Sequence, residues 1–231
     1  MDTQDLRHAR LAGADLAGAS YRGADLSHAD LTGANLAGAD LTDARLEFAN
    51  LAGADLTGSR LKRASLRSAC LCGALLRQAN LLDAVLDGAD LESADLRDAI
   101  LGACLEKGAT VRHANLKNAD LTRAKLIQVD FHHANLSAAN LSGVDAESAE
   151  LSFADLQGAV LRDTWLYCAS IHFSNLESAN LANACLAVHG AIEHSDLTGA
   201  NLAFADLRCA SLDGAVTPNT NFRGARYNEY T

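Results

Sequence analysis

Aromatic side chains are scarce in this chain: six Phe, four Tyr and one Trp make up 5% of 231 residues. A core built on packed rings is therefore excluded, and Leu and Ala must supply the interior. No run of about eighteen apolar residues occurs, which argues against a membrane-spanning helix. No charged segment followed by an apolar stretch stands at Met1, which argues against a secretory leader. The six Cys follow no disulfide spacing, so the expected setting is a reducing cytoplasm. A glycine motif able to cradle phosphate is also missing, and no cofactor is expected.

What fills the chain instead is one five-residue phrase, clean in Ala24-Asp25-Leu26-Ser27-His28, Ala29-Asp30-Leu31-Thr32-Gly33 and Ala34-Asn35-Leu36-Ala37-Gly38. With Leu as the centre of each unit, the spacing is unbroken from Leu6 to Leu186, slips by one residue near Val188-His189 and resumes from Ile192 to Tyr227. Of 45 units, 35 have Leu at the centre and 35 have Ala two residues before it. Such a period demands a solenoid, read as one domain over 1–231 with repeats at 4–188 and 190–229. Five matches neither the helical nor the strand period, so each unit makes a short extended piece and then a corner. Ala and Leu, two apart, share the inner side, and the Asp or Asn between them points outward.

These tandem Ala-(Asp/Asn)-Leu-x-x units resemble the pentapeptide repeat family over residues 4 to 229. The resemblance implies an all-β fold, a right-handed quadrilateral β-helix with four units per coil and about eleven coils. Three departures stand out. Near Gly102, Ala103-Cys104-Leu105 looks like a unit begun one residue early. The strict centre there is Glu106, so a bulge that turns Glu106 out and Leu105 in is expected over 102–108. Ala146 is a weak centre that predicts a small void or a pinched coil, and the third departure is the extra residue at 188–190. The tail, 217–231, replaces Leu with aromatics. Phe222, Tyr227 and Tyr230 there are expected to cap the rod or to pair it with a second copy.

If every coil holds twenty residues, units sort onto four faces, numbered from Leu6, Leu11, Leu16 and Tyr21. Faces two and three then carry 7 acids against 2 bases and 7 against 3, which is −9 of the total −10. Asp30, Asp90, Glu92, Asp130, Glu150, Asp55, Asp95 and Asp155 are the main members of this strip, the electrostatic likeness of a nucleic-acid backbone. All three departures fall on face one, together with outward Val85, Leu105, Ile127, Trp165 and Tyr167. With the corner column His113, His133, Phe153, Phe173 and His194, and with His132 and His172 beside it, these make a candidate apolar contact surface. His113 and His133 lie one coil apart, and Cys70 and Cys72 flank Leu71 on its outer side. Neither pair completes a tetrahedral zinc set, so no metal is expected. Cys104 is placed inward as a small apolar group, and Cys168, Cys185 and Cys209 are given no role.

A solid rod offers no concave pocket for desolvating a substrate, so an enzyme is not expected. The resemblance adds a sharper expectation. Some pentapeptide repeat proteins protect DNA gyrase or topoisomerase IV from fluoroquinolones as rod-shaped mimics of duplex DNA, commonly as dimers. The chain is accordingly read as a non-enzymatic DNA-mimicking rod that binds DNA gyrase or another type II topoisomerase and modulates it or protects it from poisons, giving antibiotic resistance. It would bind neither nucleic acid nor membrane directly. The alternative is an interaction scaffold for a regulatory or developmental protein. Some members carry projecting loops; no insertion longer than one residue is seen here, which favours plain competition with DNA over active protection.

Overall fold

The computed structural model describes residues 4–104, 107–186 and 195–231. Leu105, Glu106, Val188, His189 and His194, on which several expectations rest, lie outside the described residues. Among the described residues there is no helix, and the pairing consists of isolated parallel bridges, one per pentad. Each extended piece is too short to form a longer strand before the next corner. Asp5 pairs with Asp25, Arg10 with Asp30, Asp15 with Asn35 and Ser20 with Asp40, so one coil takes twenty residues and has four sides.

The backbone accounting of one unit explains the repeat. The Leu26 amide donates to the Arg45 carbonyl of the next coil at 2.7 Å, and the Asp25 amide donates to the Gln4 carbonyl of the coil before at 2.9 Å. A tight turn closes the corner, with the Ala29 amide on the Leu26 carbonyl at 3.0 Å. The corner residue two after nearly every described centre sits near φ +60, where Gly13 and Gly33 are at ease and His28 and Phe48 are held against their preference. Leu and Ala from successive coils form one continuous cluster from Ala24 to Ala210.

The bridging register steps twice. Up to Asn80↔Ile100 the bridges join residues twenty apart, but Val85 pairs with Thr110, and Ser170 with Asp196. The first shift is twenty-five residues and the second twenty-six. At the first, the turn bond that closes the unit on Leu101 comes from Ala109 at 2.7 Å; at the second, Ser195 reaches Leu186 at 3.3 Å. The expected bulge around 102–108 is thus a whole extra unit, and the expected one-residue slip at 188–190 is the remainder of a six-residue insertion. Both sit at the same corner, where face four passes to face one. The first insertion is anchored by Gly102 and Gly108. A Cβ on either would overlap backbone carbonyl oxygens of Ile127 and Gln128, so only glycine permits this approach.

Around Ala146 the bulk is carried by its neighbours. Its own unit reads Val144-Asp145-Ala146, with the larger side chain two residues early, and Val129 and Phe131 fill the same coil. Val144, Val129 and Phe131 are fully buried and Ala146 is 3% exposed, so sizes have been transposed within the layer. Two inward hydroxyls are satisfied locally, Thr164 and Ser174 donating to the carbonyls of Leu161 and Ile171, each at 2.8 Å, whereas the buried Ser59 hydroxyl has no partner among the described residues.

Candidate functional site

The register redistributes the predicted acidic strip. After the first insertion every later unit moves to the neighbouring face, so Asp30, Asp90, Glu92 and Asp155 share face two, Asp130 and Glu150 lie on face one, and Asp55 and Asp95 on face three. With Asp2 and the two insertions left out, faces one to four hold 7, 5, 8 and 6 acids against 4, 3, 6 and 5 bases. The expected concentration of charge on two faces does not occur.

The same acids have local work. The outward carboxylate or amide accepts the backbone amide two residues on, at the entrance to the corner: Asp30 from Thr32 at 3.1 Å, Asp55 from Thr57 at 2.9 Å, Asp130 from His132 at 3.1 Å and Asp155 from Gln157 at 3.1 Å. Glu150 does so to Ser152 at 2.8 Å. Ladders also run along the rod, with the Asn175 amide donating to Asp155 and the Asn201 amide to Asn175. Basic side chains cover others. Asp130 accepts from Arg112 at 2.6 Å, and Asp95 sits between Arg77 and Arg97. The Arg97 hydrogen bonds hold the Asp95 carboxyl down at about 2.

The predicted corner column is a stack. His113, His133, Phe153 and Phe173 lie ring on ring along the edge between faces one and two, with centroids 5.0, 5.0 and 5.3 Å apart. His132 meets His133 and Phe153 edge-on at 4.4 and 5.3 Å. The stack ends where the Phe173 ring lies against Gly199. The histidine rings face one another, so their nitrogens do not converge on a shared metal. Desolvation, then the neighbouring His132 and His113, push the His133 pKa below its ordinary value. Phe153 and Phe173 stay 46% and 57% exposed. A shallow groove of about 470 Å³ lined by Arg112, Gln128, Asp130, His132 and Glu150 runs beside the stack. A second stack, His8, His28 and Phe48, occupies the same edge nearer the N-terminus. Its signal, an aromatic corner residue every twenty positions, was present in the sequence but not read.

The rest of the expected apolar surface is divided. Trp165, 57% exposed, and Tyr167 lie on face four with Asp145 and Glu147, around a depression of about 400 Å³ that the corner residue Gly143 of face three also lines. Face one separates them from the stacked edge. Ile127 is buried, with Gly102 against its backbone, and so belongs to no surface patch. Val85, half-buried, stays on face one. At the C-terminus the tail forms the last layer, bridged through Val216, Asn221 and Arg226, and Phe222, Tyr227 and Tyr230 are exposed there.

Cysteines divide into two kinds. Cys104 is exposed beside the first insertion and not inward. Cys70 and Cys72 are half-buried on face two with their sulfurs 3.5 Å apart, and the Cys72 thiol donates to Asp90 at 3.0 Å. Burial, then that hydrogen bond, push the Cys72 thiol up to about 12.

The pentapeptide repeat family model matches in eight copies over residues 9–47, 39–78, 71–102, 107–143, 147–183 and 195–226. The breaks at 103–106 and 184–194 coincide with the two insertions. No curated protein sequence matches the chain. Among solved structures it is similar to HetL, a pentapeptide repeat protein involved in heterocyst differentiation regulation from Nostoc sp. strain PCC 7120, at 29% identity over 90% of this chain and 87% of that one, with a TM-score of 0.36. Likeness also extends to a trypsin-treated form of QnrB1, a plasmid-mediated fluoroquinolone resistance protein, at 18% identity over 98% and 90% with a TM-score of 0.39. A pentapeptide repeat protein of the Arabidopsis thaliana thylakoid lumen is 23% identical over 58% and 66%, with a TM-score of 0.30. The chain therefore belongs to the pentapeptide repeat family, and with that membership goes the right hand of the four-sided β-helix whose bridges are described above.

Proposed function

We propose that this chain is a non-enzymatic rod that docks a protein partner along the edge between faces one and two, in a reducing cytoplasm. The observation that carries the reading is the four-ring stack of His113, His133, Phe153 and Phe173, left open to solvent beside a polar groove. Aromatic area already fixed by stacking loses little entropy on binding, and such rings with a polar rim are what recognition surfaces use. The depression around Trp165 and Tyr167 supplies a second contact for a partner wide enough to cross face one. Pairing of two copies through Phe222, Tyr227 and Tyr230 belongs to the same proposal, since the last coil leaves these rings uncovered.

The test uses the full chain as bait in three forms: unchanged, Phe153→Ser with Phe173→Ser, and Asp130→Lys with Glu150→Lys. Partners bound at low and moderate salt are quantified from one extract. Loss on the aromatic change, with retention on charge reversal and in salt, is expected. The opposite pattern rejects docking on the edge.

Binding to a type II topoisomerase remains the second reading, favoured by the net charge of −10 and by the two insertions at one corner. These insertions remove the objection that the chain lacks anything beyond a one-residue slip. Against it stand the even spread of acids and their arginine partners. Purified gyrase on relaxed plasmid, titrated with this protein with and without a fluoroquinolone at two salt concentrations, separates the readings. Inhibition or drug protection that weakens with salt supports the topoisomerase partner, and no effect at large molar excess excludes it.

A further inference from the structure

We infer that Cys70, Cys72, Asp90 and Glu92 form a surface site for a divalent cation of the zinc type, bridging two coils on face two. The repeat itself builds the donor set. Cys70 and Cys72 flank the buried centre Leu71, so both thiols project from one short extended piece on its outer side. Asp90 and Glu92 flank Leu91 in the same way one coil on, and the bridge between Cys70 and Asp90 stacks the first pair under the second. Two thiols and the Asp90 carboxylate therefore converge on a rigid scaffold, with Glu92 beside them on the same outer side.

The separations fit a chelate. The sulfurs are 3.5 Å apart, and the Cys72 sulfur is 3.0 Å from Asp90 Oδ2. Two Zn–S bonds of about 2.3 Å at a tetrahedral angle require sulfurs roughly 3.7 Å apart, so Cys70 and Cys72 need move only a few tenths of an ångström. One ligand atom from each of Cys70, Cys72 and Asp90 already lies within 4.8 Å of the others; Glu92 lies outside that cluster and would complete the set by turning its longer side chain toward it. A mixed set of two thiolates and two carboxylates suits zinc over copper(I), which favours sulfur alone, and over magnesium, which favours oxygen alone.

A supporting shell is in place. Asn115, one coil further, donates its amide to Asp90 Oδ1 at 3.0 Å and reaches Glu92 Oε2 at 3.4 Å, while the Glu92 backbone amide donates to Asp90 Oδ1 at 3.1 Å. These bonds occupy Oδ1 and leave Oδ2 aimed at the sulfurs, the orienting role that outer-shell partners play around metals. The expectation of no metal weighed Cys70 and Cys72 without the carboxylates of the next coil. The completing ligands come from the next coil.

The full-length reduced chain, stripped with chelator, is titrated with Zn²⁺ against a chromophoric competitor. One equivalent is expected to bind, with release of protons from the two thiols and a rise in the melting midpoint. Changing Cys70→Ser or Cys72→Ser should weaken binding by more than about 100-fold, and Asn115→Ala by roughly 10- to 100-fold, while Cys104→Ser leaves it unchanged. Co²⁺ in place of Zn²⁺ should give the intense visible bands of a tetrahedral site with sulfur-to-metal charge transfer. Circular dichroism of each variant confirms the fold, and Asp90→Asn provides a change that keeps both thiols. Zinc affinity equal in the Cys70→Ser/Cys72→Ser chain, a weak octahedral cobalt spectrum, or absence of binding at micromolar Zn²⁺ overturns the assignment.

Discussion

Replacing Ala146 by Leu restores the commonest residue of the repeat at its centre, yet the structure predicts that it destabilises the protein. The unit 144–148 has already placed its bulk two residues early, in Val144, and Phe131 and Val129 enlarge the same coil. All three are fully buried and Ala146 is 3% exposed, so three further carbon atoms would enter a layer that already carries a Phe and two Val. Overpacking of a closed interior costs about 1–3 kcal/mol. In a chain of this size, each kcal/mol lowers the melting midpoint by roughly 2–4 °C if unfolding is cooperative. Val144→Ala alone opens a cavity and costs about 1–2 kcal/mol. The double change Val144→Ala with Ala146→Leu recreates the standard unit, and its cost should fall well below the sum of the two, a coupling of at least about 1 kcal/mol. Urea and thermal unfolding followed by circular dichroism measure all four chains. A rise in stability on Ala146→Leu alone would mean that the coil holds a void and would refute the transposition.

Gly102→Ala drives a methyl group into the Ile127 backbone and should cost more than about 3 kcal/mol, whereas Gly13→Ala, with open space around it but φ at +67, should cost about 1–2 kcal/mol; thermal melts compare them. The His133 pKa is lowered in the folded chain, so the unfolded chain binds the proton more readily. Stability therefore falls as pH drops from its ordinary value of 6.5 to the lower folded value, and Phe in place of His133 should remove that part of the slope in urea titrations. Asp95 runs the other way: its stabilisation is present above the ordinary 3.8 and lost as pH falls toward about 2, so Asp95→Asn should cost about 1 kcal/mol at neutral pH and flatten the acid limb. Light scattering at micromolar concentration should give a dimer mass, reverting to the monomer on Tyr227→Ser with Tyr230→Ser.

The repeat was legible because its physical cause is local. Inward Leu and Ala, the outward Asp or Asn that accepts a turn amide, and a corner at positive φ are written into each five residues, and twenty-residue bridging follows by addition. What the period conceals is a loss of one whole period. A pentad that loops out leaves the frame unbroken, so Glu106 at a centre and the flanking Gly102 and Gly108 were the sole written signs of the first insertion, and the second showed only its one-residue excess. Every residue-to-face assignment beyond it inherited the shift, which created a two-face acidic strip that the register dissolves. The corner stack survived, because His113, His133, Phe153 and Phe173 all lie between the two insertions, where the twenty-residue count holds.

The account stands on that register, since the even charge and the isolation of the stacked edge both follow from Val85 lying beside Thr110. Its most direct test is disulfide trapping in a chain whose native cysteines are replaced by serine. Val85→Cys with Thr110→Cys is predicted to crosslink readily under mild oxidation, as neighbouring bridge partners lie about 5 Å apart between Cα atoms. Efficient trapping of Val85→Cys with Leu105→Cys instead, and none with Thr110→Cys, would mean that the coil continues without losing a pentad and would contradict the account.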